Sequence, residues 1–203
     1  MSVTVRRAAG ETVTPRQWVR RGELLEAARR VFERDGYHAA TVSAIVQAAG
    51  LSQGAFYLYF ADKKAVFSAL QEEMATLLRR RIYWATRDEG RPRVRLEAGL
   101  RSYFEFYFEY SQWNRRLLTE GLGIDANFEA RHAELNETLV AAFRPTFIEL
   151  GVDQPELAGL SLIGMASQLA YQQRFRDGTP PLSPERLAQA CARLFLFGAL
   201  ASP

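Results

Sequence analysis

Gly50-Leu51-Ser52-Gln53-Gly54 is a segment whose residue types and spacing admit two chemistries. As G-x-S-x-G it fits a hydrolase nucleophile elbow, where a serine hydroxyl attacks a carbonyl. As the turn and first residues of a helix-turn-helix, it offers uncharged hydrogen-bonding groups to base edges. The flanking elements decide between the two. A nucleophile elbow follows a strand at the edge of a sheet. Here an alanine-rich helical stretch precedes the motif, no run of strands exists to build a sheet, and only His38 and His132 could serve as base. The hydrolase match is a coincidence of spacing. No P-loop, Rossmann glycine fingerprint or zinc-ligand spacing occurs either, so no catalytic site, metal or cofactor is expected.

The helix-turn-helix reading accounts for each residue. Gly50 can take the positive φ of a helix C-terminus, and Ser52 can cap the following helix through its hydroxyl. Phe56 and Phe60, spaced i and i+4 within a helix expected over 52–60, anchor one face inward. Gln53, Gly54, Ala55 and Leu58 then face the bases. Gln53 suits adenine N6 and N7, and Ala55 or Leu58 suits a thymine methyl. Thr41, Tyr57, Tyr59 and Lys63 are the expected phosphate contacts. Of 26 basic residues only two are lysines, Lys63 and Lys64, placed together after Asp62 where a new helix begins.

Residues from about Gly22 to Ala69 resemble the N-terminal domain of the TetR family of transcriptional regulators. The likeness rests on Leu24-Leu25-Glu26-Ala27-Ala28, Val31-Phe32, Asp35-Gly36-Tyr37, Thr41-Val42, Ile45, Ala48-Ala49-Gly50-Leu51-Ser52, Gly54, Phe56-Tyr57, Tyr59-Phe60 and Lys63. Gln53 stands where the family often has Lys, and Tyr59 where it often has His. Both can still form hydrogen bonds, so these departures bear on which operator is read. The resemblance implies an all-α fold of about nine helices. It also implies an inducer enclosed by the middle helices and a dimer interface of two helices from each subunit.

Length and charge agree. A chain of 203 residues can bury a real core, and 48% hydrophobic with 24% charged residues is ordinary for a globular protein. Residues 1–64 carry 10 basic and 6 acidic side chains, whereas residues 65–203 carry 16 and 17, so phosphate affinity belongs to the N-terminal third. The single cysteine, Cys191, excludes an internal disulfide and lies in an apolar helical pattern. No segment reaches the roughly 20 apolar residues needed to span a bilayer, and a soluble, cytoplasmic protein is expected.

The pattern along the chain is helical nearly throughout. Residues 1–15 read as a flexible arm in which Arg6 and Arg7 could reach a minor groove. Residues 16–70 form the DNA-binding domain, and 71–203 a helical bundle for ligand binding and dimerisation. Helices are expected over about 16–35, 42–49, 52–60, 62–87, 93–111, 114–122, 126–150, 154–176 and 184–201, with Pro145 kinking the seventh. The run Tyr103 to Trp113 places aromatics around most of a helix, which must therefore be enclosed by others. Phe104, Tyr107, Phe108, Trp113, Leu118, Leu122, Phe143, Phe147, Gln168 and Tyr171 are the candidate lining of an inducer pocket, with core packing the competing reading for each.

Small and apolar residues recur at helical spacing in the last two helices. Ala158, Ser161, Leu162, Met165, Leu169 and Gln172 are the first set, and Leu187, Ala190, Cys191, Leu194, Phe195 and Gly198 the second. Gly159 and Gly164 permit close helix approach. These faces are the candidate dimer interface. The expected function is a homodimeric regulator on a palindromic DNA operator, most simply a repressor released by a small apolar or aromatic inducer, with the fourth helix as lever. A constitutive or activating regulator without inducer is the alternative. An all-helical enzyme would have to draw on Glu105, Glu120, His132 and Glu134.

Overall fold

Apolar residues spaced three and four apart give the backbone its helices. The computed structural model describes residues 5–6, 12–13, 15–117, 120, 126–175 and 180–199, and nine α-helices lie among the described residues. Two compact units divide the chain at Glu72 and Glu73. Ahead of the helices, β1 (Val5–Arg6) and β2 (Thr12–Val13) pair antiparallel, with Val5 opposite Val13. The segment read as a loose arm thus carries a short ladder.

In the first unit, α1 (Pro15–Ala39) opens with a proline, whose missing N–H costs nothing in a first turn. Leu24, Leu25, Ala28, Val31 and Phe32 bury one stripe of it. The backbone leaves helical geometry at Gly36 (φ 80°, ψ 169°), the residue expected to end the helix, and a short turn continues to Ala39. Then come α2 (Val42–Ala49), α3 (Gln53–Tyr57) and α4 (Lys63–Thr86), whose first part belongs to this unit. Ile45, Phe56, Phe60, Val66 and Phe67 complete the core, with Phe32 and Phe67 meeting edge to face at 5.0 Å.

The second unit contains the remainder of α4 with α5 (Pro92–Glu109), α6 (Ser111–Arg116), α7 (Ala126–Glu149), α8 (Pro155–Phe175) and α9 (Pro184–Ala199). Ser183 caps α9, its Oγ accepting from Arg186 N at 3.3 Å. α5 packs on α9 and α7, and α7 on α8. Leu96, Leu100, Tyr103, Phe104, Phe106 and Tyr107 are all buried, so α5 is enclosed on most sides, as its aromatic circumference requires. Two glycines permit close approach inside the unit. A Cβ on Gly99 would meet Phe143 Cε1 at 2.6 Å, and one on Gly159 would meet Val140 Cγ1 at 2.7 Å. The helix α7 continues through Pro145, which lies on an exposed face, as does Ala141, whose carbonyl the proline leaves without a backbone donor.

Candidate nucleic-acid interface

The turn is built from backbone geometry outward. Thr41 caps α2, its Oγ1 accepting from Ala44 N at 3.1 Å. At the other end Gly50 adopts φ 65° and ψ 33°. Its N–H donates to Gln47 O at 3.2 Å while Leu51 N donates to Val46 O at 2.9 Å, the two bonds of a Schellman close. Any side chain with a Cβ would be strained at that φ. Ser52 follows at once in extended geometry, and its Oγ accepts from Ala55 N at 3.2 Å. Two residues therefore end one helix and start the next.

The second helix is shorter than its sequence suggests. It spans Gln53–Tyr57 rather than 52–60, because the chain tightens as Tyr59 N donates to Phe56 O at 2.9 Å. Phe56 is fully buried and Phe60 nearly so, with ring centroids 5.7 Å apart. Opposite them, Ser52, Gln53 and Gly54 are exposed, and Ala55 and Tyr59 are half-buried. Tyr57 is 56% and Leu58 81% exposed. A Cβ on Gly54 would meet only Ser52 Oγ, at 3.9 Å, so a partner can approach that backbone closely. The face carries no charge. It offers an amide, hydroxyls, backbone groups and small apolar surfaces, the complement of a major-groove edge.

Lys63 is engaged within the unit. Its Nζ donates to Tyr37 O at 2.7 Å, Ala40 O at 2.9 Å and His38 O at 3.2 Å. It also lies 4.6 Å from the centre of the Tyr37 ring. An ammonium has three donors, and here all three are engaged by carbonyls beyond the Gly36 break. The side chain ties α4 to the end of α1. Sequence reasoning missed this because the signal, carbonyls freed where α1 breaks, is a property of the fold. The first turn of α4 is capped by Asp62 Oδ1, which accepts from Ala65 N at 2.7 Å.

Residues 24–70 match the model of bacterial regulatory proteins of the tetR family. These residues are an N-terminal domain of the TetR kind. The chain is 35% identical over 101 residues to the HTH-type transcriptional activator FasR of Mycolicibacterium smegmatis, covering 50% of this chain and 46% of that one. The chain thus spans under half of that relative's length. It is 28% identical to the HTH-type regulator YdgC of Bacillus subtilis over 89% of this chain and 92% of YdgC. The fold is shared with the FadR regulator of Bacillus subtilis, solved with stearoyl-CoA, at a TM-score of 0.77 and 18% identity, covering 87% of this chain and 98% of that one.

The helical bundle of the second unit gathers part of the expected pocket lining. Phe104, Tyr107, Trp113, Phe143 and Phe147 are buried, and Phe108 and Tyr171 are half-buried. Gln168 is exposed on α8 and leaves the set, because that side of the helix turns away from the packed face. Leu118 and Leu122 lie outside the described residues. The Tyr107 hydroxyl is buried with no hydrogen-bond partner among the described residues, and burial pushes its pKa up to about 12. Tyr103 is raised too, by burial first, with a hydrogen bond to Ser167 opposing.

The outward faces of α8 and α9 differ in part from the expected ones, which included the exposed Ser161, Gly164, Leu194 and Gly198. Leu162, Leu187, Cys191 and Phe195 are buried within the chain, and Gly159 serves the contact with Val140. What stands outward is Leu157 and Leu160 on α8, and Leu194 and Phe197 on α9. The exposed Ser161, Gly164 and Gln168 continue the α8 stripe at helical spacing. No helix among the described residues is long and apolar enough to cross a membrane.

Proposed function

We propose that the chain is a DNA-binding transcriptional regulator that reads a palindromic operator as a homodimer and is released by a small, largely apolar inducer. One observation carries this reading. The second helix of the turn is capped and pinned by Phe56, yet Leu58 and Tyr57 stand beside Gln53 in the open. A soluble head has no reason to hold such a face rigid and uncovered unless a partner fits it. In this reading Gln53, Gly54, Ala55 and Leu58 meet base edges, while Thr41, Ser52, Tyr57 and Tyr59 meet the sugar-phosphate backbone. The hydroxyls of Thr41 and Ser52 accept cap bonds, which leaves their hydrogens free to donate to phosphate oxygens.

Dimerisation would use Leu157, Leu160, Leu194 and Phe197, an apolar set too large to leave in water. Two-fold symmetry then sets the half-sites about one helical turn apart, roughly 34–36 Å, or a multiple of it. The unpartnered Tyr107 hydroxyl supports an inducer that brings one hydrogen-bonding group into an otherwise aromatic interior. Release follows if the inducer favours a conformation whose paired heads do not match the operator spacing, a coupling on the order of 1–3 kcal/mol. Selection of bound duplexes from a random pool, followed by titration with apolar ligands including long-chain acyl-CoA, tests the reading. A two-fold-symmetric consensus released by a ligand supports it. Failure to retain any duplex at low ionic strength overturns it.

A further inference from the structure

Polar side chains of α5, α6 and α8 form a ladder of three rungs along the interface of those helices, and the middle rung is open. At one end the Tyr103 hydroxyl is hydrogen-bonded to Ser167. One turn on, Tyr107 has Tyr171 as its electrostatic neighbour. At the other end Arg174 Nε donates to Ser111 Oγ at 3.2 Å. Positions 103, 107 and 111 are four apart, and 167, 171 and 174 four and three apart, so each set follows one helix face. Bonds from Tyr110 N to Phe106 O and from Asn114 N to Tyr110 O carry the α5 face on into α6.

The outer rungs are closed by the protein itself. Tyr107, in contrast, is 4% exposed, and its hydroxyl has no hydrogen-bond partner among the described residues. A buried hydroxyl left unpaired is costly, and native interiors keep few of them. Burial first, and Tyr171 after it, push the Tyr107 pKa up to about 12, so the group keeps its proton and can donate.

The next rung supplies charge. Arg174 is exposed in the last turn of α8, and the bond to Ser111 is its one hydrogen bond among the described residues. Ser111 is buried, so Nε is fixed against the bundle while the Nη groups have donors to offer. Three or four residues separate this rung from the open one, a rise of about 5 Å along the helices. In the opposite direction the ladder leads inward, to buried Tyr103 and to Cys191 beside it.

We propose that the open Tyr107 rung and the Arg174 guanidinium form the subsite for the carboxylate of an amphipathic organic acid, whose apolar body packs inward toward Tyr103 and Cys191. Tyr107 donates to a carboxylate oxygen, and the guanidinium pairs with the charge. This rests on the inducer reading above and narrows it, from a largely apolar ligand to one that is also anionic.

The test uses the full chain and two matched pairs of ligands below their micellar concentrations, dodecanoate with dodecanol and naphthylacetate with naphthylethanol. Calorimetric titrations compare the native chain with Tyr107→Phe, Arg174→Gln and a control, Arg93→Gln, which removes an exposed guanidinium at the far end of α5. At least one acid should bind the native chain about tenfold or more tightly than its neutral counterpart. Arg174→Gln should erase that preference, and Tyr107→Phe should weaken the acid about fivefold or more. The control should bind as the native chain does. Without ligand, Tyr107→Phe should melt no lower than the native chain, because it gives up no bond. A lower melting temperature would mean that the hydroxyl is already paired, and would overturn the subsite. Neutral ligands that bind as tightly as their acids, or a preference that survives Arg174→Gln, would overturn the subsite alone. A native chain that binds none of the four removes the inducer reading and this one with it.

Discussion

Around the turn, Tyr57 and Leu58 are 56% and 81% exposed, and their neighbours are an amide, hydroxyls and bare backbone. In the second unit, Leu194 and Phe197 are 62% and 74% exposed, and the large apolar residues exposed on the adjoining α8 are Leu157 and Leu160. Both surfaces leave large apolar groups in water, but the second sets four of them out, with Ser161, Gln168 and Arg193 exposed among them, whereas the first sets Tyr57 and Leu58 beside the backbone of Gly54 and the amide of Gln53. A small apolar area among donors and acceptors can satisfy a polar groove edge group by group. A larger apolar set gains more by shedding water against its own kind. The proposed nucleic-acid face and the proposed subunit face differ in that proportion, which exposure of single residues does not reveal.

The sharpest way to break this contrast is to remove the anchor beneath the first surface. Phe56→Ala empties a fully buried site and should cost about 3–5 kcal/mol, unfolding the head in a thermal melt. Should the head keep its melting temperature, the face is not held from behind as described. Next in size is Phe197→Glu. A charge in the apolar set should weaken self-association by about 2–4 kcal/mol, read by sedimentation as a monomer at micromolar concentration. An unchanged dimer would move the interface elsewhere. Lys63→Met removes three charge-assisted bonds to carbonyls and should lower stability by about 1.5–3 kcal/mol without flattening the salt slope of DNA binding. A flattened slope would return Lys63 to the phosphates.

Smaller effects refine the same picture. Gln53→Ala should relax preference at a single base position by about 1–2 kcal/mol while leaving non-specific affinity intact, measured by competition between duplexes. Burial pushes the Cys191 thiol up to about 12. The native chain should therefore resist alkylation at pH 8 while the urea-unfolded chain reacts. The sign follows from linkage: the buried thiol stays neutral while the unfolded one ionises near its ordinary value of about 8.5. Its contribution to stability is thus complete below about pH 8.5 and is lost as pH rises towards 12. Rapid alkylation of native protein would place Cys191 outside the core.

Much of the head was legible because its signals are local. Gly50 and Ser52 specify a turn through backbone geometry and a cap reaching three residues on, and Phe56 and Phe60 specify a buried face through spacing alone. The contacts of Lys63 were not legible because its partners are Tyr37, His38 and Ala40, more than twenty residues earlier in the chain. In the second unit periodicity located the helices but could not say which of two apolar faces turns inward. Leu162 and Leu194 both continue helical stripes, yet one is fully buried and the other mostly exposed. Gly159 read as a site of subunit contact, whereas its missing side chain makes room for Val140.

The neutrality of the reading helix has a practical side. With no fixed charge between Ser52 and Phe60, exchanging Gln53, Ala55 or Leu58 alters hydrogen-bond and methyl complementarity without touching long-range attraction. On the proposed reading, such a head could be redirected toward new operators one position at a time. Each redesign would leave the charge of the head as it is, because no charged residue lies among the letters being rewritten.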